Sequence, residues 1–226
     1  MSITAITFIR EDSKRLPRKS IKNLFDKPLF LYSFEKFSKN KNIDRCIAYT
    51  NSKIVKSQTK KLLSKNTTTE VISRPAYLDG DVTFNEIMES FIDRINTEYV
   101  LYFCVTSPFI SDSTITDVTN KVLMNNKFDS SFTAKEVKSF CWYKGKPLNY
   151  NLDKKIPFTQ DLKPVLVETS GFYLFKKSLF LEQKRRIGQN PYIKVIDEIE
   201  GHDIDYHEDF VLAESFLSSG LVKWIL

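Results

Sequence analysis

Ile3-Thr4-Ala5-Ile6-Thr7-Phe8-Ile9-Arg10-Glu11-Asp12-Ser13-Lys14-Arg15-Leu16-Pro17-Arg18-Lys19-Ser20 is the stretch whose reading decides the fold. Its first seven residues form a short apolar, β-favouring run, as expected of a buried strand. The run ends abruptly in a polar loop with five cationic side chains, Arg10, Lys14, Arg15, Arg18 and Lys19. Beyond it, Phe30, Phe34 and Phe37 recur at helical spacing and predict a helix over 29–37. A strand, a basic loop and a helix make the opening unit of an α/β sheet.

The same alternation continues outward. Arg45–Thr50 reads as a second strand, 54–64 as a polar helix and 70–73 as a short strand. Phe84, Ile87, Met88, Phe91, Ile92 and Ile95 form an apolar stripe that predicts one helix over 84–95. Residues 99–105 are almost continuously apolar and predict a central strand, followed by a helix over 112–124. Such alternation implies a Rossmann-like, mostly parallel sheet with helices on both faces. Ligands of these sheets sit beyond the carboxyl ends of the strands, so the loops after Ile9, Thr50 and Val105 should converge.

From about Lys135 the pattern changes. Phe140 to Pro147 resembles a short strand entering a turn, and 149–164 is polar and proline-interrupted. We read 135–167 as an inserted flap or small dimerisation lobe within a single domain spanning 1–226. A strand over 171–175, a helix over 176–184 and a last helix over 208–217, capped near Gly220, complete the pattern.

Composition narrows the class. With 226 residues and 42% hydrophobic content, the chain can build one full-sized core. No apolar run approaches the roughly 20 residues that span a bilayer, and the opening lacks a secretory pattern. Cys46, Cys104 and Cys141 are scattered, which argues against a disulfide framework or zinc site and predicts a reducing, cytoplasmic setting. The net charge of +6 is compatible with nucleic acid, an anionic membrane or an acidic small ligand.

Two segments carry chemistry. A cationic loop at a strand's carboxyl end is a trap for a triphosphate, and Pro17 would stiffen it. Charge alone fits a solvated basic run equally well. No glycine precedes Gly80, so neither a P-loop nor a dinucleotide fingerprint is present here. The second segment is Gly201-His202-Asp203-Ile204-Asp205-Tyr206-His207-Glu208-Asp209-Phe210. In extended backbone Asp203 and Asp205 share a side, an arrangement that suits Mg²⁺. The competing reading is a solvated acidic turn with Glu208 or Asp209 at a helix N-terminus. His202 and His207, with no cysteine partner, read as surface residues.

In order, these motifs resemble the acylneuraminate cytidylyltransferase family. Arg10, Ser13, Lys14, Leu16, Pro17 and Lys19 match its first loop. Lys27-Pro28-Leu29, Thr50-Asn51-Ser52, Arg74-Pro75-Ala76, Thr106-Ser107-Pro108, Glu168 to Gly171 with Lys176-Lys177, and Asp203-Ile204-Asp205 with Glu208-Asp209-Phe210 follow. The resemblance implies a nucleotide-diphospho-sugar transferase-like fold and transfer of CMP from CTP to the anomeric hydroxyl of an acidic nine-carbon-type or related sugar. Pyrophosphate would leave, and the product would serve cell-surface glycan synthesis. It implies that Arg10, Lys19 and Asp205 are catalytic and that Arg10, Ser13, Lys14, Lys19, Ser20 and Arg74 hold the nucleotide. By the same resemblance Cys104, Thr106, Ser107, Ser170 and Tyr173 meet the sugar, and Asp203 and Asp205 hold Mg²⁺. The Lys184-Arg185-Arg186 run either borders the sugar pocket or is a solvated helix end. Family members commonly pair through the inserted lobe, so a homodimer is expected.

The departures from the family matter. Glu11 and Asp12 stand where it has small residues, and they would repel a triphosphate unless they point away. Ser20 replaces an asparagine, Asn51 an aspartate and Ser170 an asparagine. Cys104 and Ile110 stand where a glutamine and an arginine help hold the sugar. Cys104 reads as a small apolar residue at a strand end rather than a nucleophile. Two alternatives therefore stand beside an active cytidylyltransferase. One is a degenerate member acting as a binding or assembly subunit. The other is a nucleic-acid-binding protein, which no aromatic–basic interleaving supports; neither a nucleic acid nor a membrane is expected as a partner.

Overall fold

The computed structural model describes residues 2–63, 69–125 and 127–222. In chain order the elements begin with β1 (Ile3–Ile9), the ribbon strands β2 (Asn23–Leu24) and β3 (Lys27–Pro28), α1 (Leu29–Lys39) and β4 (Arg45–Thr50). Next come α2 (Lys53–Leu63), β5 (Thr69–Ile72), α3 (Phe84–Glu89), β6 (Tyr99–Phe103) and α4 (Asp112–Met124). The second half holds β7 (Ser130–Val137), β8 (Trp142–Tyr143), β9 (Lys146–Pro147), β10 (Val165–Lys176), α5 (Lys177–Gln183), β11 (Pro191–Val195) and α6 (His207–Ser218).

Seven strands form one sheet in the order β11-β7-β10-β6-β1-β4-β5. The pairs β1–β4, β1–β6, β4–β5 and β7–β11 are parallel. β10 enters antiparallel between β6 and β7. The mostly parallel sheet expected from the alternation is thus present, with helices on both faces. Phe30, Phe34 and Phe37 of α1 and Ile115, Val118 and Val122 of α4 bury one face. Ile87 and Met88 of α3, with Leu179 and Phe180 of α5, bury the other. A third cluster packs Phe210 and Ala213 of α6 against Leu24, Leu29, Tyr32 and Phe109.

Several boundaries differ from the pattern reading. The stripe over 84–95 is buried from Ile87 onward, but the helix stops at Glu89 and a 3₁₀ turn follows at Ile92–Arg94. Ser90 ends it by donating its hydroxyl to the Ile87 carbonyl at 2.7 Å, a local bond that competes with the helical ladder. β7 opens on two serines and ends through Lys135 and Glu136, and β11 opens on a proline, so neither announces itself as a strand. β7 reaches Val137 and β10 starts at Val165, so both ends of the stretch read as a flap belong to the sheet. Ser64, read as the end of the second helix, lies outside the described residues.

Two turns obey backbone chemistry. Lys144 and Gly145 both take positive φ, 49° and 76°, and join β8 to β9 as a tight hairpin. Gly220, at φ 70°, follows α6; its N–H reaches Leu217 O and that of Leu221 reaches Phe216 O, a Schellman ending.

The loop after β6 is held from α1. Ser33 Oγ donates to Ser107 O at 2.9 Å, and Lys36 Nζ to Pro108 O and Ile110 O at 3.2 and 2.7 Å. Burial pushes the Lys36 ammonium down to about 8, against an ordinary 10.5. Between these values the unfolded chain binds the proton that the folded chain releases, so Lys36 adds stability as pH rises through the window. We expect wild type to gain urea resistance relative to Lys36→Met between pH 8 and 10. A wild type that loses urea resistance relative to Lys36→Met as pH rises through that window would contradict the buried ammonium.

Candidate functional site

Parallel register places Ile9 beside Thr50 and Ile6 beside Tyr102, which brings the carboxyl ends of β1, β4 and β6 to one edge. A cleft of about 600 Å³ opens there. The first loop contributes Arg10, Asp12, Ser13, Lys14, Arg15, Lys19 and Ser20 to it. The end of β6 contributes Cys104, Val105 and Thr106, β10 contributes Ser170, and the segment before α6 contributes Asp203 and Asp205. The loop after β4 faces an adjoining pocket of about 420 Å³, which shares Arg10, Asp12 and Asp79 with the cleft.

The first loop turns through Arg18, whose left-handed φ of 57° starts the 3₁₀ turn at Lys19–Ile21. That turn buries Lys19 and Ser20. Lys19 Nζ donates to Ile204 O at 2.6 Å and to Asp205 Oδ1 at 2.9 Å, while Arg15 holds Asp205 Oδ2 at 2.6 Å. The acidic segment is stitched to the β6 loop by Ile204 N–H on Thr106 O at 2.9 Å and by Ser107 Oγ on Asp203 Oδ1 at 3.4 Å. Asp209 Oδ2 accepts the N–H groups of Asp205 and Tyr206 at 2.9 and 2.8 Å. Burial pushes the Asp209 carboxyl up, and these backbone donors hold it below the usual carboxylate value. His202 is not a plain surface residue. It stacks on Phe109 and pairs through Nε2 with Asp209 O at 2.8 Å, so it anchors the segment.

Across the mouth lies Asp79-Gly80-Asp81. Arg10 donates to Gly80 O at 2.9 Å, and Lys14 contacts Asp81 at 2.6 Å. The Lys14 hydrogen bond holds the fully exposed Asp81 carboxyl below its ordinary range.

Not every expected contact lies in the cleft. Ser107 is buried and acts on it through Asp203. Tyr173 is 4% exposed and sits behind the wall, beneath Arg186 at 3.8 Å, with its hydroxyl on Glu168 at 3.1 Å. It stacks on Tyr102, which does line the cleft. Lys184, Arg185 and Arg186 border a separate surface pocket with Thr83, Phe84 and Asn85. Arg74 is 4% exposed and lines the adjoining pocket, with NH2 on Asp79. Burial raises the Asp79 carboxyl, and the bonds from Arg74 and Asn51 more than reverse that.

The departures also find places. Ser52 Oγ donates to Glu11, whose side chain lines the adjoining pocket and not the cleft; Asp12 lines both. Ile110 is buried, and a Cβ on Gly171 would stand 2.6 Å from its Cδ1, so this substitution faces the core. Cys104 does line the cleft. Burial pushes its thiol up to about 11, which leaves it protonated near neutrality and a poor nucleophile.

Sequence reasoning gave no role to Arg15 on Asp205, to the 79–81 loop, or to Phe8 and Tyr102 in the cleft wall. Gly80 between two aspartates signals a turn, but nothing local aims it at the cleft. Phe8 and Tyr102 look like ordinary core residues of strands.

Among the described residues no group of three or more His, Cys, Asp or Glu side chains could hold a metal ion by itself. Asp203 and Asp205 both line the cleft, Asp203 with one oxygen on Ser107 and Asp205 with its two oxygens on Lys19 and Arg15; two carboxylates are the protein share of a site in which Mg²⁺ draws its other oxygens from phosphates and water. No helix among the described residues is long and apolar enough to cross a membrane.

A family model described as cytidylyltransferase matches residues 4–214. A 3-deoxy-manno-octulosonate cytidylyltransferase of Wigglesworthia glossinidia brevipalpis is 24% identical over 175 residues, 77% of this chain and 63% of that protein. A Helicobacter pylori protein, a pseudaminic acid cytidylyltransferase and UDP-2,4-diacetamido-2,4,6-trideoxy-beta-L-altropyranose hydrolase, is 23% identical over 248 residues. That match takes in 98% of this chain but 47% of that protein, so the chain spans less than two thirds of either relative. A CMP:2-keto-3-deoxy-manno-octonic acid synthetase solved with CTP superposes at a TM-score of 0.70, over 97% of this chain and 99% of that one, at 11% identity. A 4-diphosphocytidyl-2C-methyl-D-erythritol synthase from Anaerococcus prevotii gives 0.65 over 96% of both chains at 17% identity. At such identities the structural likeness establishes the fold alone.

Proposed function

The chain belongs to the cytidylyltransferase family, and we propose that it transfers CMP from CTP to the anomeric hydroxyl of an acidic nine-carbon-type or related sugar. The observation that carries the reading is the cleft itself, where Arg10, Ser13, Lys14 and Lys19 face the carboxylates of Asp203 and Asp205.

The triphosphate lies over the first loop, where cations replace the water around its charge. The sugar enters between Thr106, Ser170 and Cys104. Its anomeric oxygen attacks the α-phosphorus in line. The new P–O bond forms as the bond to the β-phosphate oxygen breaks, and pyrophosphate leaves with that electron pair. The hydroxyl proton passes to Asp203 or Asp205. Asp203 and Asp205 would hold a Mg²⁺, which would supply positive charge beside the phosphates. The chain's own work is positioning and charge stabilisation.

The redirection of Glu11 by Ser52 supports an active site over a degenerate one, since it keeps that carboxylate out of the cleft. We read the chain as cytoplasmic from its free cysteines. We also read it as a homodimer through the β8–β9 excursion, whose Trp142, Tyr143, Ile156 and Phe158 are exposed.

The test is pyrophosphate release with CTP, Mg²⁺ and a panel of acidic ulosonic sugars, run beside thermal shifts. CTP at a hundred times its Kd adds about 2.7 kcal/mol, a rise of roughly 5–10 °C for a chain of this size. The absence of both turnover and any nucleotide-induced shift would defeat the proposal and favour a binding subunit.

A further inference from the structure

Two charged side chains grip the loop after β6 without lining the cleft. Glu200, just ahead of Asp203 in the chain, is 8% exposed, and its Oε1 accepts from Ser111 N at 2.8 Å and Ser111 Oγ at 2.7 Å. Lys36 reaches the same loop from α1, on Pro108 O and Ile110 O. Burial lowers its ammonium and Lys27 adds to that, while Asp112 and Glu200 oppose the shift. Charges taken out of water are costly, and apolar side chains would fill the same space more cheaply. What this pair provides is a loop held by an acceptor and a donor at once.

We propose that Glu200 and Lys36 are positioning residues, which clasp residues 108–111 and thereby fix where Asp203 and Asp205 stand against the first loop. The effect on turnover rests on the CTP reading above. The far end of the clasped segment is pinned, because Ser111 is the N-cap of α4 and accepts from Thr114 N at 3.1 Å. Its near end carries the acidic segment, through Thr106 O on Ile204 N–H and Ser107 Oγ on Asp203 Oδ1. Ser33 holds that end as well, by donating to Ser107 O. On its other side the segment is drawn toward the first loop, where Lys19 and Arg15 share Asp205. The carboxylates therefore sit between a pull from the cations and an anchor on the β6 loop. With the clasp released, the anchor yields and both carboxylates follow the cations, out of line with the reacting phosphate.

Amide hydrogen exchange in the ligand-free protein, followed by NMR, tests the clasp in Glu200→Leu, Glu200→Gln and Lys36→Met. Exchange of the Ile204 amide should quicken about tenfold in Glu200→Leu and in Lys36→Met, with the amides of β1 unchanged, the mark of a local opening. Glutamine keeps an acceptor oxygen for Ser111, so Glu200→Gln should exchange as wild type does. Pyrophosphate release from CTP, with whichever ulosonic sugar of the panel wild type turns over, supplies the second readout. There kcat should fall about tenfold or more in Glu200→Leu, while KM for CTP stays within about threefold and Glu200→Gln keeps its rate. Unchanged exchange at Ile204 in both Glu200→Leu and Lys36→Met, or a Glu200→Gln as impaired as Glu200→Leu, would overturn the proposal and leave the CTP reading intact. Exchange that quickens throughout the sheet with kcat retained would make Glu200 merely structural and overturn it too. Wild type without turnover would overturn the CTP reading, and exchange at Ile204 alone would then decide the clasp.

Discussion

Lys19→Met should lower kcat/KM by about a thousandfold, the upper scale for removing one preorganised charge donor from a reacting centre. Lys19 is the only cation of the first loop with little solvent around it, its side chain being 10% exposed against 53% for Arg15 and 81% for Lys14. A charge held in that setting acts on a triphosphate with less screening than an exposed one. Its two contacts, Ile204 O and Asp205 Oδ1, also fix the backbone just before the second carboxylate and the carboxylate itself. Methionine keeps the stem and removes the charge. One carbonyl then loses its donor, a structural cost of about 1–3 kcal/mol that a melting curve will register separately. Asp205→Asn should also be severe, and the double variant little worse than Lys19→Met alone, because the two groups act as a unit. A fall of less than tenfold, or strictly additive losses, would remove Lys19 from the catalytic centre.

The strand–helix alternation was readable because residues such as Ile3–Ile9, Arg45–Thr50 and the apolar run of β6 are buried on both faces. Their composition records that burial with no help from context. β10 was only half readable. Its inner part is apolar and buried, whereas Val165 is half-buried, Leu166 and Val167 are exposed, and all three pair with the polar end of β7. Apolar residues outside the core, next to a proline-interrupted stretch, give no burial pattern to read. The site divides along the same line. Arg10 and Lys19 stand in a charged loop after a strand and Asp203 and Asp205 alternate before the last helix, but charge alone fitted a solvated surface as well, and their roles came from the resemblance. The capture of Asp205 by Arg15 joins residues 190 positions apart, and the turning of Glu11 toward Ser52 depends on parallel register. Tyr173 shows the limit of local reading: register sets it beside Tyr102 on the same face, but Arg186 covers its ring, and the cleft lining includes Tyr102 and not Tyr173.

Phe37→Ala should cost about 3–5 kcal/mol of folding stability, a large share of the 5–15 kcal/mol that a domain typically has. Phe37 is fully buried at the hub of the aromatic layer between α1 and the sheet. Its ring stacks on Phe103 at 4.2 Å and 14°, and meets Phe172 edge-on at 5.6 Å. Removing it takes away both the transferred area and the ring-to-ring terms, and the two strands beneath it, β6 and β10, cannot collapse into the gap. Phe103 and Phe172 directly precede or face the residues that enter the cleft, since Cys104 N–H donates to Gly171 O at 3.1 Å. The cavity therefore lies beneath the cleft and touches none of its polar groups. Urea denaturation should show a lower midpoint with an unchanged slope, the mark of lost stability without a new intermediate. Below its own transition, the variant's CTP affinity should stay within about threefold of wild type. Phe37→Leu should recover more than half of the loss, because it restores most of the volume. A loss under about 1 kcal/mol for Phe37→Ala would mean that the layer closes over the gap. A parallel loss of CTP binding in the folded variant would mean that α1 sets the cleft's geometry as well as its stability.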